Sequence, residues 1–206
     1  MALDKFKAAL KERIEQAKVL QNKVVRVGIV EHQHYDDGTP VAYVAVIHEY
    51  GADFVVPERK AVIHRRIEKN GDWSKKYGNK FVRKQKSNFA TEVTIPAHRV
   101  KIDPRPFFRP TISEKQSEWR QDIINGLAAN RNAADILELV GMKAAGDVRE
   151  TIAGITSPPL SEATKKARNW KAYTKSKNPA AISIQPLDDT GLMKKSITYI
   201  VLDKGS

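Results

Sequence analysis

The stretch "VAYVAVIHEYG", residues 41–51, decides the fold. By composition it is a strand, because Val41, Val44, Val46 and Ile47 are β-branched and Tyr43 and Tyr50 are aromatic. Its ends argue otherwise. Thr39 can cap a helix, Pro40 suits a first helical position, and Gly51 stands where a helix stops in left-handed backbone. On a helix, Val41, Val44, Ala45 and His48 share one face. The stretch is therefore predicted to be a short helix.

Upstream, residues 2–20 place Leu3, Phe6, Leu10, Ile14 and Ala17 along one helical stripe, with Lys, Arg and Glu elsewhere. The acidic residues Asp4, Glu12 and Glu15 make this an amphipathic helix and not a signal peptide. "KVVRVGIVE", residues 23–31, reads as a buried strand, and "DDG" at 36–38 as a turn.

Downstream, the character changes. "KFVRKQKS" and "TEVTIPAHRVKI" are predicted to form an extended, basic, two-stranded arm. In "DPRPFFRPT", Pro104, Pro106 and Pro110 force an extended strap. Residues 112–155 turn helical. Trp119, Ile123, Ile124 and Leu127 form one stripe; Ile136, Leu139, Val140, Ala144, Val148, Ile152 and Ile155 form a second, with Asn130 or Asn132 capping the break. Ser161 caps a further short helix and a polar loop follows. Pro186 and "LDDTG" (187–191) then lead through a helical turn into a last strand, "SITYIVLD". These elements predict an α+β fold, with a small, mostly antiparallel sheet packed against several helices. One domain spans 1–206, carrying a basic extended insertion at 58–101.

The chain of 206 residues has 41% hydrophobic and 29% charged residues, which suits a folded globular protein. No apolar run approaches the roughly 20 residues that cross a bilayer, so no membrane partner is expected. Cysteine is absent, which rules out disulfides, thiolate zinc sites and thiol nucleophiles and fits folding in a reducing cytosol. The formal charge is +12, and residues 58–101 hold 13 Lys/Arg against 4 Asp/Glu, a local net of +9. Arg65, Arg66, Lys75, Lys76, Lys80, Arg83, Lys84 and Lys86 form the basic arm. They point to a nucleic-acid backbone or an acidic protein neighbour, weighed against a solvated loop kept soluble by charge.

Candidate chemistry is sparse. Asp189, Thr190 and Gly191 spell the triplet of aspartic proteases, but that chemistry needs two carboxylates sharing a proton on paired loops. Here the triplet runs into "LMKKSITYI", and Asp189 or Thr190 reads as a helix cap. "HEYGA" resembles the start of the zinc-protease signature, but Ala52 occupies the position of its second histidine. His32 and His34 could chelate from one strand face, yet no third ligand accompanies them; His64 and His98 have no partners at interpretable spacing. The glycines are scattered singly, so no phosphate-cradling loop forms. No cofactor, metal or catalytic residue is predicted. Trp73, Tyr77, Phe81 and Phe89 either offer stacking faces to a single strand or anchor the arm to protein. In "RPFFRPT", Phe107 and Phe108 between Arg105 and Arg109 are typical interface anchors, or else a strap over the chain's own core.

Five segments in order carry a likeness: "HEYGA" (48–52), "IPAHRVKIDPRPFFRPT" (95–111), a long helical segment, "SPPLSEAT" (157–164), and Pro186 followed by "LDDTGLMKKSITYIV" (187–201). Together they make the chain resemble the tail-completion, or neck, proteins of tailed bacteriophages. The resemblance covers roughly residues 20–201, and the basic insertion looks like a segment that varies in that family. It implies an α+β fold, no catalysis, and a virion protein assembled in the host cytoplasm. It further implies a homo-oligomeric ring, hexameric, at the head–tail junction. Partners would be neighbouring connector, tail-terminator, tube or sheath proteins, with transient contact to virion double-stranded DNA. By this reading Arg105, Phe107, Phe108 and Arg109 form a subunit interface, and Thr39, Gly51, Asp189, Thr190 and Gly191 are turn and cap residues. The alternative is a DNA-binding module that grips phosphates without sequence preference through residues 59–101.

Overall fold

The computed structural model describes residues 2–175 and 185–205. The polar loop expected before Pro186 lies largely outside the described residues. In chain order the elements are α1 (Ala2–Asn22), β1 (Lys23–Ile29), α2 (Val41–Tyr50), β2 (Ala52–Val56), β3 (Arg59–Arg65), β4 (Phe89–Ile95), β5 (His98–Ile102), α3 (Phe108–Ala128), α4 (Ala133–Gly154), α5 (Glu162–Lys175), α6 (Leu192–Ser196) and β6 (Ile197–Asp203). The fold is α+β, with every strand pair antiparallel.

The single domain expected from the sequence divides into two compact units, residues 1–51 with 103–206, and residues 52–102. The boundary falls outside 58–101 because β2 pairs with β5, Ala52 opposite Ile102 and Val56 opposite His98. The stem of the insertion therefore belongs to the insertion.

In the larger unit β1 pairs with β6 from Lys23 opposite Asp203 to Ile29 opposite Ile197. Alternation puts Val25, Val27 and Ile29 on the same face as their partners Val201, Tyr199 and Ile197. Helix α4 packs on this sheet through Gly141, where an added Cβ would strike the Tyr199 ring and stand 2.9 Å from Val25 Cγ1. The core gathers Val41, Ala45, Phe107, Val148, Ile152, Leu187, Met193 and Ile197. "VAYVAVIHEY" is helical, as its ends predict, and Gly51 terminates it at φ 77. Pro40, not Thr39, is the residue just before the helix, and no side chain caps it there. The Thr39 N–H is instead taken by Asp37 Oδ1, at 3.0 Å. Asn132 caps α4, its Oδ1 accepting Ala134 N at 2.8 Å, and Gln16 Oε1 of α1 accepts the neighbouring Ala133 N at 2.6 Å. Helix α1 thus docks by its C-terminal half, with Arg13 Nη2 donating to Asn130 Oδ1. Its stripe of Leu3, Phe6, Leu10 and Ile14 remains exposed.

The smaller unit corrects the expected strand pairing. "KFVRKQKS" is not a strand: it holds only a short 3₁₀ turn at Lys84–Lys86. The partner of β4 is β3, with Ala61 opposite Val93, Ile63 opposite Thr91 and Arg65 opposite Phe89. That register matches half-buried residues across the ladder, whereas a cation at nearly every second position gives "KFVRKQKS" no face to bury. Among the described residues the unit has no fully buried apolar side chain; Ser74 is its one buried residue.

Candidate functional site

The proline-rich strap is half a helix. Helix α3 begins at Phe108, four residues before the sequence pattern turns helical. Pro110 is tolerated because it falls in the first turn, where an N–H would have no intrahelical acceptor. Four N–H positions open such a helix, and this one resolves all of them. Glu49 Oε2 accepts Phe107 N at 2.7 Å and Phe108 N at 3.0 Å, Oε1 accepts Arg109 N at 3.1 Å, and Pro110 has no N–H to satisfy. A carboxylate is also the charge that a helix N-terminus favours.

Glu49 is 4% exposed, and sequence reasoning missed it. No local signal marked it, because the pattern turns helical at 112 with Thr111 just before it as a ready cap, and only the fold brings Glu49 to the true start at Phe108. Burial pushes Glu49 up, but the three N–H donors and the Arg109 guanidinium outweigh it and hold the carboxyl below its ordinary 4.5. Arg109 closes the corner. Its Nε donates to Glu49 Oε1 at 3.0 Å, one Nη to Glu49 O at 2.7 Å, and the guanidinium covers the Tyr50 ring at 4.8 Å.

Arg105 does a related job nearby. Its backbone N donates to His48 O at 2.6 Å, and its guanidinium reaches the carbonyls of Pro158 and Pro159 at 2.8 and 3.2 Å. "HEYG", "RPFFRPT" and "SPP" are therefore stitched into one corner. Burial, then the Arg105 and Arg168 charges, hold the His48 imidazole below its ordinary 6.5.

The expectation of paired interface phenylalanines is corrected for Phe107. Its ring is 0% exposed and belongs to the core, so it has no surface to give a neighbour. Phe108, with ring centroid 4.8 Å from that of Phe107, is half-buried. It lines an open groove of about 410 Å³ together with Gly28 and Ile29 of β1, Ala42 and Val46 of α2, and Ile112 of α3. Val46, Ile112, Tyr43 and Tyr50 are largely exposed. Among the described residues β1 pairs only with β6, so its second edge is open.

Asp189, Thr190 and Gly191 form a turn into α6. Gly191 has φ 71, Thr190 Oγ1 accepts Leu192 N at 3.2 Å, and Asp189 lies 3.5 Å from Arg168 Nε. His32 and His34 fall in a turn and a lone bridge to Pro40, not on a strand. Among the described residues no three His, Cys, Asp or Glu side chains gather as metal ligands, and no helix is long and apolar enough to cross a membrane.

In the smaller unit Arg65 is the organiser. Its guanidinium lies 5.4 Å from the Trp73 ring centroid and 5.3 Å from that of Phe81. Arg66 donates to Lys86 O at 3.1 Å. Lys75, Lys76, Lys80, Arg83, Lys84 and Lys86 are all exposed. No family model, curated protein or solved structure matches the chain.

Proposed function

We infer that the chain is a virion structural protein of the neck or tail-completion type. Copies close into a ring, six by resemblance, at the head–tail junction, where the ring joins or terminates the tail and lets DNA pass. The protein acts by contact and carries out no catalysis. Its neighbours are connector, tail-terminator, tube or sheath proteins.

One observation carries this reading. The two most distinctive motifs of the resemblance, "HEYGA" and "RPFFRPT", meet at Glu49 and frame an uncovered apolar groove beside an open strand edge. A monomer rarely leaves such a surface bare, and an open edge accepts a further strand. A groove on one copy and a different surface on the next make a head-to-tail contact, which closes into a ring when the rotation allows.

The test is light scattering and negative-stain imaging of the purified chain, with and without candidate virion neighbours, beside Ile112→Asp. The expected result is a closed ring for the natural chain and a folded monomer for the variant. A natural chain that stays monomeric throughout, or a variant that assembles equally well, overturns the reading.

A further inference from the structure

We propose that residues 74–88 of the smaller unit are a sequence-independent binding surface for the phosphate backbone of a DNA duplex. This goes beyond the ring assembly and stands or falls separately from it.

The argument starts from pairing. Several cations elsewhere pair with anions: Lys18 with Glu15, Lys115 with Glu118, Lys143 with Asp122, Lys165 with Glu162, and Arg99 with Asp53. The other runs of lysine have acids among them, as Asp4 and Glu12 flank Lys5, Lys7 and Lys11. The segment "SKKYGNKFVRKQKSN" holds Lys75, Lys76, Lys80, Arg83, Lys84 and Lys86 and no acidic residue. All six are exposed, and among the described residues none makes an ion pair. A merely solvated face needs no such purity, because interspersed acids keep a surface soluble without self-repulsion.

The segment is also held still. Gly78 N donates to Ser74 O, Lys86 N to Arg83 O, and Val82 N to His64 O. The Asn88 amide brackets both the N–H and the carbonyl of Ile67 at 2.8 Å, and Ser87 Oγ donates to Arg65 O at 2.9 Å. The Arg65 guanidinium, between Trp73 and Phe81, fixes the base of the loop. Six like charges are thus carried on a backbone tied at several points, with their side chains free to reach a polyanion.

Duplex DNA is the polyanion that fits. It offers one negative charge per roughly 1.7 Å of axis, a continuous anionic array for six exposed cations that fall between Lys75 and Lys86. The segment has no α-helix or strand ladder to insert into a groove, only a three-residue 3₁₀ turn, so it reads phosphate and not sequence. A single strand would stack its bases on aromatic rings; Trp73 and Phe81 each give one face to Arg65, and Tyr77 lies under Lys76 at 5.5 Å. Phe81 is still 69% exposed, so competition by a single strand is the deciding arm of the test.

The test is fluorescence anisotropy of a labelled 30-base-pair duplex with the 206-residue chain at 50 and 200 mM NaCl. With about five phosphates neutralised, affinity is expected to fall about 10²–10³-fold over that range. The triple variant Arg83→Glu, Lys84→Glu, Lys86→Glu abolishes binding, and single Lys84→Gln lowers the salt slope by about one. A charge-matched control, Lys5→Glu, Lys7→Glu, Lys11→Glu in α1, retains binding; both triple variants are checked by circular dichroism. The proposal is overturned if the natural chain does not bind, if the α1 control loses as much affinity as the loop variant, or if a single strand or poly-glutamate competes as well as the duplex.

Discussion

Glu49 Oε2 accepts the backbone N–H of Phe107 at 2.7 Å across 58 residues of sequence. Helix α2 thereby supplies the cap that α3 lacks, and the same bond seats the Phe107 ring in the core.

Removing the carboxylate leaves N–H groups at a buried corner without acceptors. Glu49→Ala is expected to cost roughly 2–4 kcal/mol, and Glu49→Gln less, since one amide oxygen remains. Arg109→Lys costs about 1 kcal/mol, because an ammonium cannot span the carboxylate and the Glu49 carbonyl as the guanidinium does. Urea denaturation monitored by circular dichroism measures all three, and an unchanged midpoint for Glu49→Ala contradicts the capping role.

Acid should unfold the larger unit in two windows. The folded His48 holds its proton less tightly than the ordinary 6.5, so the unfolded chain is protonated first. Its contribution is whole above about pH 6.5 and is lost as pH falls from there to the folded value. The folded Glu49 lies below 4.5, so its contribution is whole above that value and is lost as pH falls through the folded one. Denaturation midpoints from pH 8 to 3 should lose the first slope in His48→Gln and the second in Glu49→Gln.

Two adjacent rings should separate folding from assembly. Phe107→Ala opens a core cavity and costs about 3–5 kcal/mol. Phe108→Ala, at the groove, costs less stability and weakens self-association. Melting temperature and light scattering on the two variants read the difference; equal effects on both measurements refute it.

Two glycines of α4 should respond with opposite sign. Gly141→Ala drives a methyl into Tyr199 and Val25 and is expected to destabilise by about 1–3 kcal/mol. Nothing lies within 4 Å of a Cβ at Gly146, so Gly146→Ala gains about 0.5–1 kcal/mol of helix propensity. Thermal unfolding of both variants checks the pair.

Local features were legible in the sequence because they act within a few residues. The Pro40 to Gly51 frame, the Asn132 cap, the helical stripes and the last strand all follow from backbone geometry and short-range hydrogen bonds. Long-range choices were not legible. That β4 pairs with β3 and not with "KFVRKQKS", that α3 starts at Phe108, and that Phe107 turns inward while Phe108 does not all rest on partners tens of residues away. Sequence alone determined most of the helices, the first and last strands, and where positive charge collects. Tertiary structure decided which faces are covered, because burial depends on what a fold brings opposite each residue, and Glu49 became a cap only once α3 arrived beside it.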